Sequence, residues 1–223
     1  MSDDSFIREV EEELRSDRMK RIWDRFGPIL IGAAILIVIA TAGYRGYQYY
    51  TDSRASASGD RFLVALNLAN DGKPDEALAA LEELEGDGYG AYPVLARMRA
   101  ATVLQEKGDS AGAVAAFDAV AADSSAPAAV RDMAKIRAAY ILVDTGSAAD
   151  VAERAESLSS DENPLRHAAR EALGLAAWKE GRLGDAKVLF QQIVDDPSAP
   201  RNAQQRAGIM LDLITASGEV SEG

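Results

Sequence analysis

The chain has no cysteine and a single histidine, His167, among its 223 residues. Without thiols it can form neither a disulfide nor a thiolate metal site, and the redox compartment stays open because a cysteine-free chain suits either side of a membrane. One imidazole leaves few ways to build a nucleophile–base pair or a zinc site. No phosphate loop, nucleophile elbow or H-E-x-x-H motif is present, so the sequence predicts no enzyme, no cofactor, no metal and no small-molecule substrate. Positive charge is also scarce: 24 Lys and Arg stand against 36 Asp and Glu, a formal net charge of −12. A surface that repels phosphates lacks the electrostatic drive for DNA or RNA binding, which excludes nucleic acids as main partners. Aromatics make up only 6% of a chain that is 48% hydrophobic and rich in alanine. Alanine is the best helix former and its small side chain lets helices approach closely, so an all-α fold is expected.

The one long uncharged run is Phe26 to Tyr44, FGPILIGAAILIVIATAGY, bracketed by Arg25 and Arg45. At about 1.5 Å per residue it nearly matches a ~30 Å hydrocarbon core, and a transmembrane helix over 26–46 is predicted, with Phe26, Leu30, Ile35, Val38 and Tyr44 among its membrane-spanning residues. Gly27 and Pro28 read as its first turn, and Tyr44, Tyr47, Tyr49 and Tyr50 as an aromatic belt. Arg15, Arg18, Lys20, Arg21 and Arg25 precede the run, against Arg45 and Arg54 after it, which predicts a cytoplasmic N-terminus and, in a Gram-negative cell, a periplasmic C-terminal domain at the inner membrane. A cleaved signal peptide, encouraged by Ala40-Thr41-Ala42, would want a shorter basic start and a shorter apolar run. A buried core helix would want a polar face. Segment 1–25 places Phe6, Ile7, Val10, Leu14, Arg18 and Ile22 at helical spacing, a short amphipathic cytoplasmic helix whose Trp23 and bases can sit on anionic headgroups or dock another membrane protein. The small, polar stretch TDSRASASGD, within 47–60, reads as a juxtamembrane linker or frayed helix end.

After the linker the chain repeats. Gly72, Gly108, Gly146 and Gly181 each separate two apolar-periodic segments, at spacings of 36, 38 and 35 residues, and Pro93, Pro127, Pro164 and Pro200 recur in phase. A helix-turn-helix unit needs a turn glycine, where left-handed backbone is cheapest, and a proline tolerated at a helix start. The fourth unit is clearest, with Leu173, Gly174, Gly181, Ala186 and Phe190. Its counterparts are Ala101, Gly108, Ala113 and Phe117 in the second, Ala65, Gly72, Ala77 and Leu81 in the first, and Ala139, Gly146, Val151 and Ala155 in a degenerate third. This pattern is similar to the tetratricopeptide L-G…A-x3-F signature, implying a right-handed α-solenoid of about four hairpins over 61–217, closed by a capping helix from Arg201, with a loose tail at 218–223.

Three features invite a chemical interpretation and are better read otherwise. His167 is expected to be partly exposed, Glu85 to Gly90 to form a flexible inter-repeat turn, and Asp195 and Asp196 to lie in a solvated loop. Function then falls on a surface. In tetratricopeptide arrays the first helix of each unit lines the groove, which points to Met98, Thr102, Gln105, Met133, Tyr140, Glu171 and Trp178 as protein-binding residues, with Phe62, Leu66, Ile136 and Leu175 on the same side. No cluster of Lys and Arg marks that groove for acidic peptide termini.

The stretch FIREVEEELRSDRMKRIWDRFGP at Phe6 to Pro28, the single apolar run, GYRGYQYY at Gly43 to Tyr50 and the repeats together resemble the YfgM-like ancillary subunits of the Sec translocon. That resemblance implies an inner-membrane, single-pass, non-catalytic scaffold whose periplasmic repeats associate with translocon subunits, periplasmic chaperones or their clients. A structural subunit of an outer-membrane or cell-wall assembly complex is the alternative.

Overall fold

A computed structural model describes residues 3–217 of the chain. Side chains are described at positions 15, 18–20 and from 23 onward, so the apolar face proposed for Phe6, Ile7, Val10, Leu14 and Ile22, like the tail 218–223, lies outside the described residues. All regular structure among the described residues is helical: α1 (Asp3–Asn70), α2 (Pro74–Asp87), α3 (Tyr92–Glu106), α4 (Ser110–Ala122), α5 (Ala128–Thr145), α6 (Ala148–Ala155), α7 (Arg166–Lys179), α8 (Leu183–Val194) and α9 (Arg201–Ala216), with a 3-10 turn at Glu156–Leu158. The molecule divides into two units, Met1–Ser56 and Ala57–Gly223.

The first unit is the N-terminal part of α1. Every residue from Pro28 to Tyr47 is exposed, and this helix is long and apolar enough to cross a membrane. Two local expectations need correction. Pro28 is inside the helix, not at its start; it removes one backbone donor there, and the turns on either side carry the helix past it. The stretch Thr51 to Asp60 is helical as well, because Ala and Ser tolerate helical backbone once their neighbours are ordered.

The second unit is a stack of hairpins, an all-α tetratricopeptide-like solenoid. The end of α1 pairs with α2, α3 with α4, α5 with α6 and α7 with α8, and each hairpin shares a core with the first helix of the next. Ala65, Leu81, Leu84 and Val103 join α1, α2 and α3. Ala101, Phe117 and Ala138 join α3, α4 and α5, Ala139, Val151 and Ala172 join α5, α6 and α7, and Ala177, Phe190 and Ala207 join α7, α8 and α9. Residues at the repeat positions, among them Ala65, Ala77, Leu81, Ala101, Ala113, Phe117, Ala139, Val151, Ala155, Ala186 and Phe190, are at most 1% exposed. At Gly174 the reason for the smallest residue is visible, since a Cβ would lie 2.9 Å from the Phe190 ring of the facing helix.

Three of the four turn glycines adopt left-handed backbone: Gly72, Gly108 and Gly181 have φ of 75°, 91° and 74°. Gly146 departs from the expectation, with extended φ −114° and ψ −166°. There the next residue, Ser147, starts α6 with a reciprocal capping box with Asp150, which satisfies the first amides in extended backbone and leaves no need for a left-handed residue. A side chain at 146 would still crowd its neighbour, because a Cβ would lie 2.8 Å from the end of the Leu142 side chain, which would have to shift. Prolines occupy helix starts: Pro127 and Pro200 immediately precede α5 and α9, and Pro74 opens α2. The segment Glu85 to Gly90 is only partly a turn, since α2 runs to Asp87; Gly90 then takes φ 68° and the Tyr89 amide donates to Ser58 Oγ at 2.9 Å.

An additional periodic feature is an arginine recurring once per unit on the first helices and on α9, Arg61, Arg97, Arg131, Arg166 and Arg201. In three units it reaches the carboxylate at the end of the second helix or just past it: Arg61 Nη1 donates to Asp87 at 2.7 Å, Arg97 pairs with Asp123, and Arg166 Nε donates to Asp196 at 3.0 Å. In the third unit Arg131 keeps a buried Nε without a hydrogen-bond partner, and the corresponding Asp161 pairs with Arg170 instead. The last helix, α9, closes the stack yet leaves Ile209 and Leu213 exposed, so its outer face is less polar than a terminal cap needs.

Candidate protein-binding surface

Beyond the hairpin contacts, α5 packs on α7 and α7 on α9, while no contact of comparable extent joins α4 to α6 or α6 to α8. From α5 to α9 the first helices therefore form the closer-packed layer, and the residues predicted to bind partners lie on the first helices α3, α5 and α7. Charge differs between the layers. Acidic residues crowd α2, with Asp75, Glu76, Glu82, Glu83, Glu85 and Asp87, while α4, α6 and α8 carry only Asp118, Asp150, Glu153 and Asp185. Arginines concentrate on the first helices, where many pair with loop acids as described.

Three of the predicted residues are available for contact: Gln105 is exposed, Met133 is 38% exposed and Trp178 is 43% exposed. Met98 is half-buried against the core shared by α3, α4 and α5, and the Thr102 hydroxyl, also half-buried, donates to the Met98 carbonyl at 3.0 Å. Ile136 is buried, and Leu66 and Leu175 are half-buried. Phe62 stands against Tyr92, with ring centroids 6.1 Å apart.

Tyr140 and Glu171 are joined to each other. The Tyr140 hydroxyl donates to Glu171 Oε2 at 3.0 Å, and Arg206 of α9 donates to the same carboxylate from Nε at 2.5 Å and Nη2 at 2.7 Å. Glu171 is only 6% exposed; a carboxylate that deep is stable because a bidentate guanidinium and a hydroxyl satisfy its oxygens. Burial, and then the neighbouring Glu171 charge, push the Tyr140 phenol well above its usual range. This chain of three polar groups ties α5, α7 and α9 together. Glu171 thus orders the surface from beneath and is not free to meet a partner. Spacing alone did not find Arg206; the signal available was its position 35 residues after Glu171, one repeat on.

His167 and Asp196 also differ from expectation. His167 is 7% exposed, and its Nε2 lies 2.8 Å from Asp196 Oδ2. Asp196 is no solvated loop residue: it receives Arg166, His167 and the amide and hydroxyl of Ser198. Hydrogen bonds from Ser198 and then His167 hold its carboxyl well below the usual carboxylate range. The cluster pins the loop between α8 and α9 to the start of α7. Among the described residues no group of three or more His, Asp or Glu is placed to hold a metal ion.

The family model of a tetratricopeptide repeat-like domain matches residues 20–213, taking in the apolar helix as well as the hairpins. No curated protein matches the chain. Among solved structures, a putative kinesin light chain of Podosopora anserina with nearly identical TPR-like repeats is similar at 18% identity and a TM-score of 0.49, covering 75% of this chain and 99% of that one. The hairpin register, the buried small-residue positions and a match across most of the chain agree: the protein belongs to the tetratricopeptide repeat-like domain family.

Proposed function

We propose that the chain is a non-catalytic, membrane-anchored scaffold that holds other polypeptides on its first-helix layer, facing the periplasm from a single span with a cytoplasmic N-terminus. Tetratricopeptide-type repeats typically bind proteins and not small substrates, and here the first helices offer Gln105, Met133 and Trp178 as contact points above an ordered Tyr140–Glu171–Arg206 base. Met and Trp supply adaptable area and anchoring surface for an extended or helical segment. The observation that carries the reading is the combination, under one family match, of a fully exposed apolar helix and a hairpin stack. An apolar helix with no polar face needs an apolar surrounding, and tethering at a membrane raises the effective concentration of partners found there, so weak groove contacts suffice.

The partners we infer are translocon subunits and periplasmic chaperones or their clients, an assignment that rests on the resemblance of residues 6–50 to the YfgM-like family. A photo-crosslinking residue at Met133 or Trp178 in intact membranes should trap components of that set. Recovery of proteins from the cytoplasm alone would reverse the orientation, and recovery of an outer-membrane or cell-wall assembly in fixed stoichiometry would replace the partner assignment.

A further inference from the structure

The helical segment just before the apolar run carries a surface that the scaffold reading leaves unused. Met19, Trp23 and Phe26 are 63%, 60% and 50% exposed, and their spacing of four and three residues puts them on one stripe of α1, with Arg15 one turn earlier on the same side. At about 100° per residue, Arg18 and Arg25 flank that stripe on one side and Lys20 on the other, each roughly a quarter to a third of a turn away. Asp24 lies roughly 135° from the stripe, and its short side chain cannot reach round. All four bases are exposed. The indole of Trp23 lies along the helix toward the apolar run, close enough that a Cβ on Gly27 would sit 3.3 Å from its ring. The far end of the run is built differently, with Tyr44, Tyr47, Tyr49 and Tyr50 exposed and few cations, one of which, Arg54, lies over the Tyr50 ring at 5.4 Å.

An apolar stripe continuous with a membrane-length helix and bordered by cations on both flanks is complementary to one kind of surface, an acyl boundary roofed by anionic phosphates. Arginine and lysine stems lie along apolar groups while their charged ends reach outward to phosphate oxygens, and the tryptophan ring suits the boundary itself. We propose that residues 15–26 form a collar that selectively recruits acidic phospholipids around this end of the anchor, with Arg18, Lys20 and Arg25 on the headgroup phosphates and Trp23 at the top of the acyl chains. The aromatic end of the run has no such preference. The proposal rests on the apolar helix being a membrane anchor, and the test separates the two.

The full chain is reconstituted into phosphatidylcholine vesicles containing the same small mole fraction of either brominated phosphatidylglycerol or brominated phosphatidylcholine, and tryptophan emission is followed. Trp23→Phe measures the contribution of Trp178. The expected result is at least about twofold stronger quenching of Trp23 by the brominated acidic lipid, because local enrichment raises its contact frequency. The triple change Arg18→Gln, Lys20→Gln and Arg25→Gln should bring the two lipids to equality, while Arg45→Gln should leave the difference intact. Equal quenching of the unsubstituted chain by both lipids overturns the collar while leaving the anchor standing. Quenching of Trp23 by aqueous acrylamide and by neither lipid also overturns it, placing the ring in water. A chain that fails to float with either vesicle overturns the anchor as well.

Discussion

The third and fourth hairpins have nearly the same span of sequence and reach the same topology by different means. In the fourth, the core is a large residue in a small one's space, Phe190 against Gly174, and the turn is made locally by Gly181 in left-handed backbone. In the third, Ala155 stands in the place of Phe190 and Ala139 in that of Gly174, α6 has only 8 residues, Gly146 is extended, and Arg131 of α5 finds no partner past the second helix. What holds the third turn comes from its neighbour. Lys179 donates to the carbonyls of Val143 and Asp144 at 2.8 Å, closing the end of α5, and Glu180 accepts the Ala148 amide at 2.9 Å, capping the start of α6. That amide bond is the chief reason the Glu180 carboxyl lies below its usual range. A solenoid unit with a weak local code is thus stable only as part of the stack, as nearest-neighbour coupling requires.

Substitutions can break that contrast in order of expected size, each followed by urea unfolding of the detergent-solubilised full chain with Trp178 as reporter in a Trp23→Phe background. Phe190→Ala should be the most damaging, costing about 3–5 kcal/mol through lost burial and the cavity left beside Gly174. A cost under about 1 kcal/mol would mean that the fourth hairpin is not held by this pair. Glu171→Gln comes next. It leaves the Tyr140 donor an acceptor but removes the charge that Arg206 meets, and with the guanidinium half exposed the loss should be about 1–3 kcal/mol. Tyr140→Phe, which keeps the ring, should cost less than Glu171→Gln; the reverse order would show the hydroxyl, and not the ion pair, to be the tie.

Glu180→Ala should cost about 1 kcal/mol, and the loss should appear as faster hydrogen exchange in α6, not in α7, whose C-terminal end the residue itself follows. Equal exchange in both would deny that the fourth unit caps the third. The smallest effect concerns acid. Asp196 and Asp123 both titrate below the usual carboxylate range, each chiefly through a hydrogen bond from the serine two residues on. A carboxyl whose folded pKa is depressed adds stability that is complete above the unfolded value and declines as pH falls through the folded one. Stability should therefore be flat from neutral pH to about 5 and fall below about pH 4, and Ser198→Ala together with Ser125→Ala should flatten that decline.

The register of the hairpins could be read from the chain because small residues, turn glycines and prolines act through local backbone and through the nearest helix, and those constraints recur at every unit. The contact face was legible only in outline. Met133 and Trp178 are exposed on the first helices, but Glu171 shares their spacing and is spent within the fold, and His167, read as partly exposed, and Asp196, read as a solvated loop residue, lock a loop. Periodicity assigns a residue to a side of a helix and says nothing of what another helix 30 or more residues away brings to meet it.

By itself the amino-acid order determined the helical class, the apolar run at Phe26 to Tyr44 and the phase of the hairpins, since each follows from short-range propensity and burial pattern. Only the tertiary structure decided that Arg206 satisfies Glu171, that Glu180 caps α6, and that Asp196 meets His167 and Arg166. The physical reason is that buried polar groups and close contacts are settled between elements distant in sequence, where the nearest neighbour in space is fixed by packing and not by order along the chain.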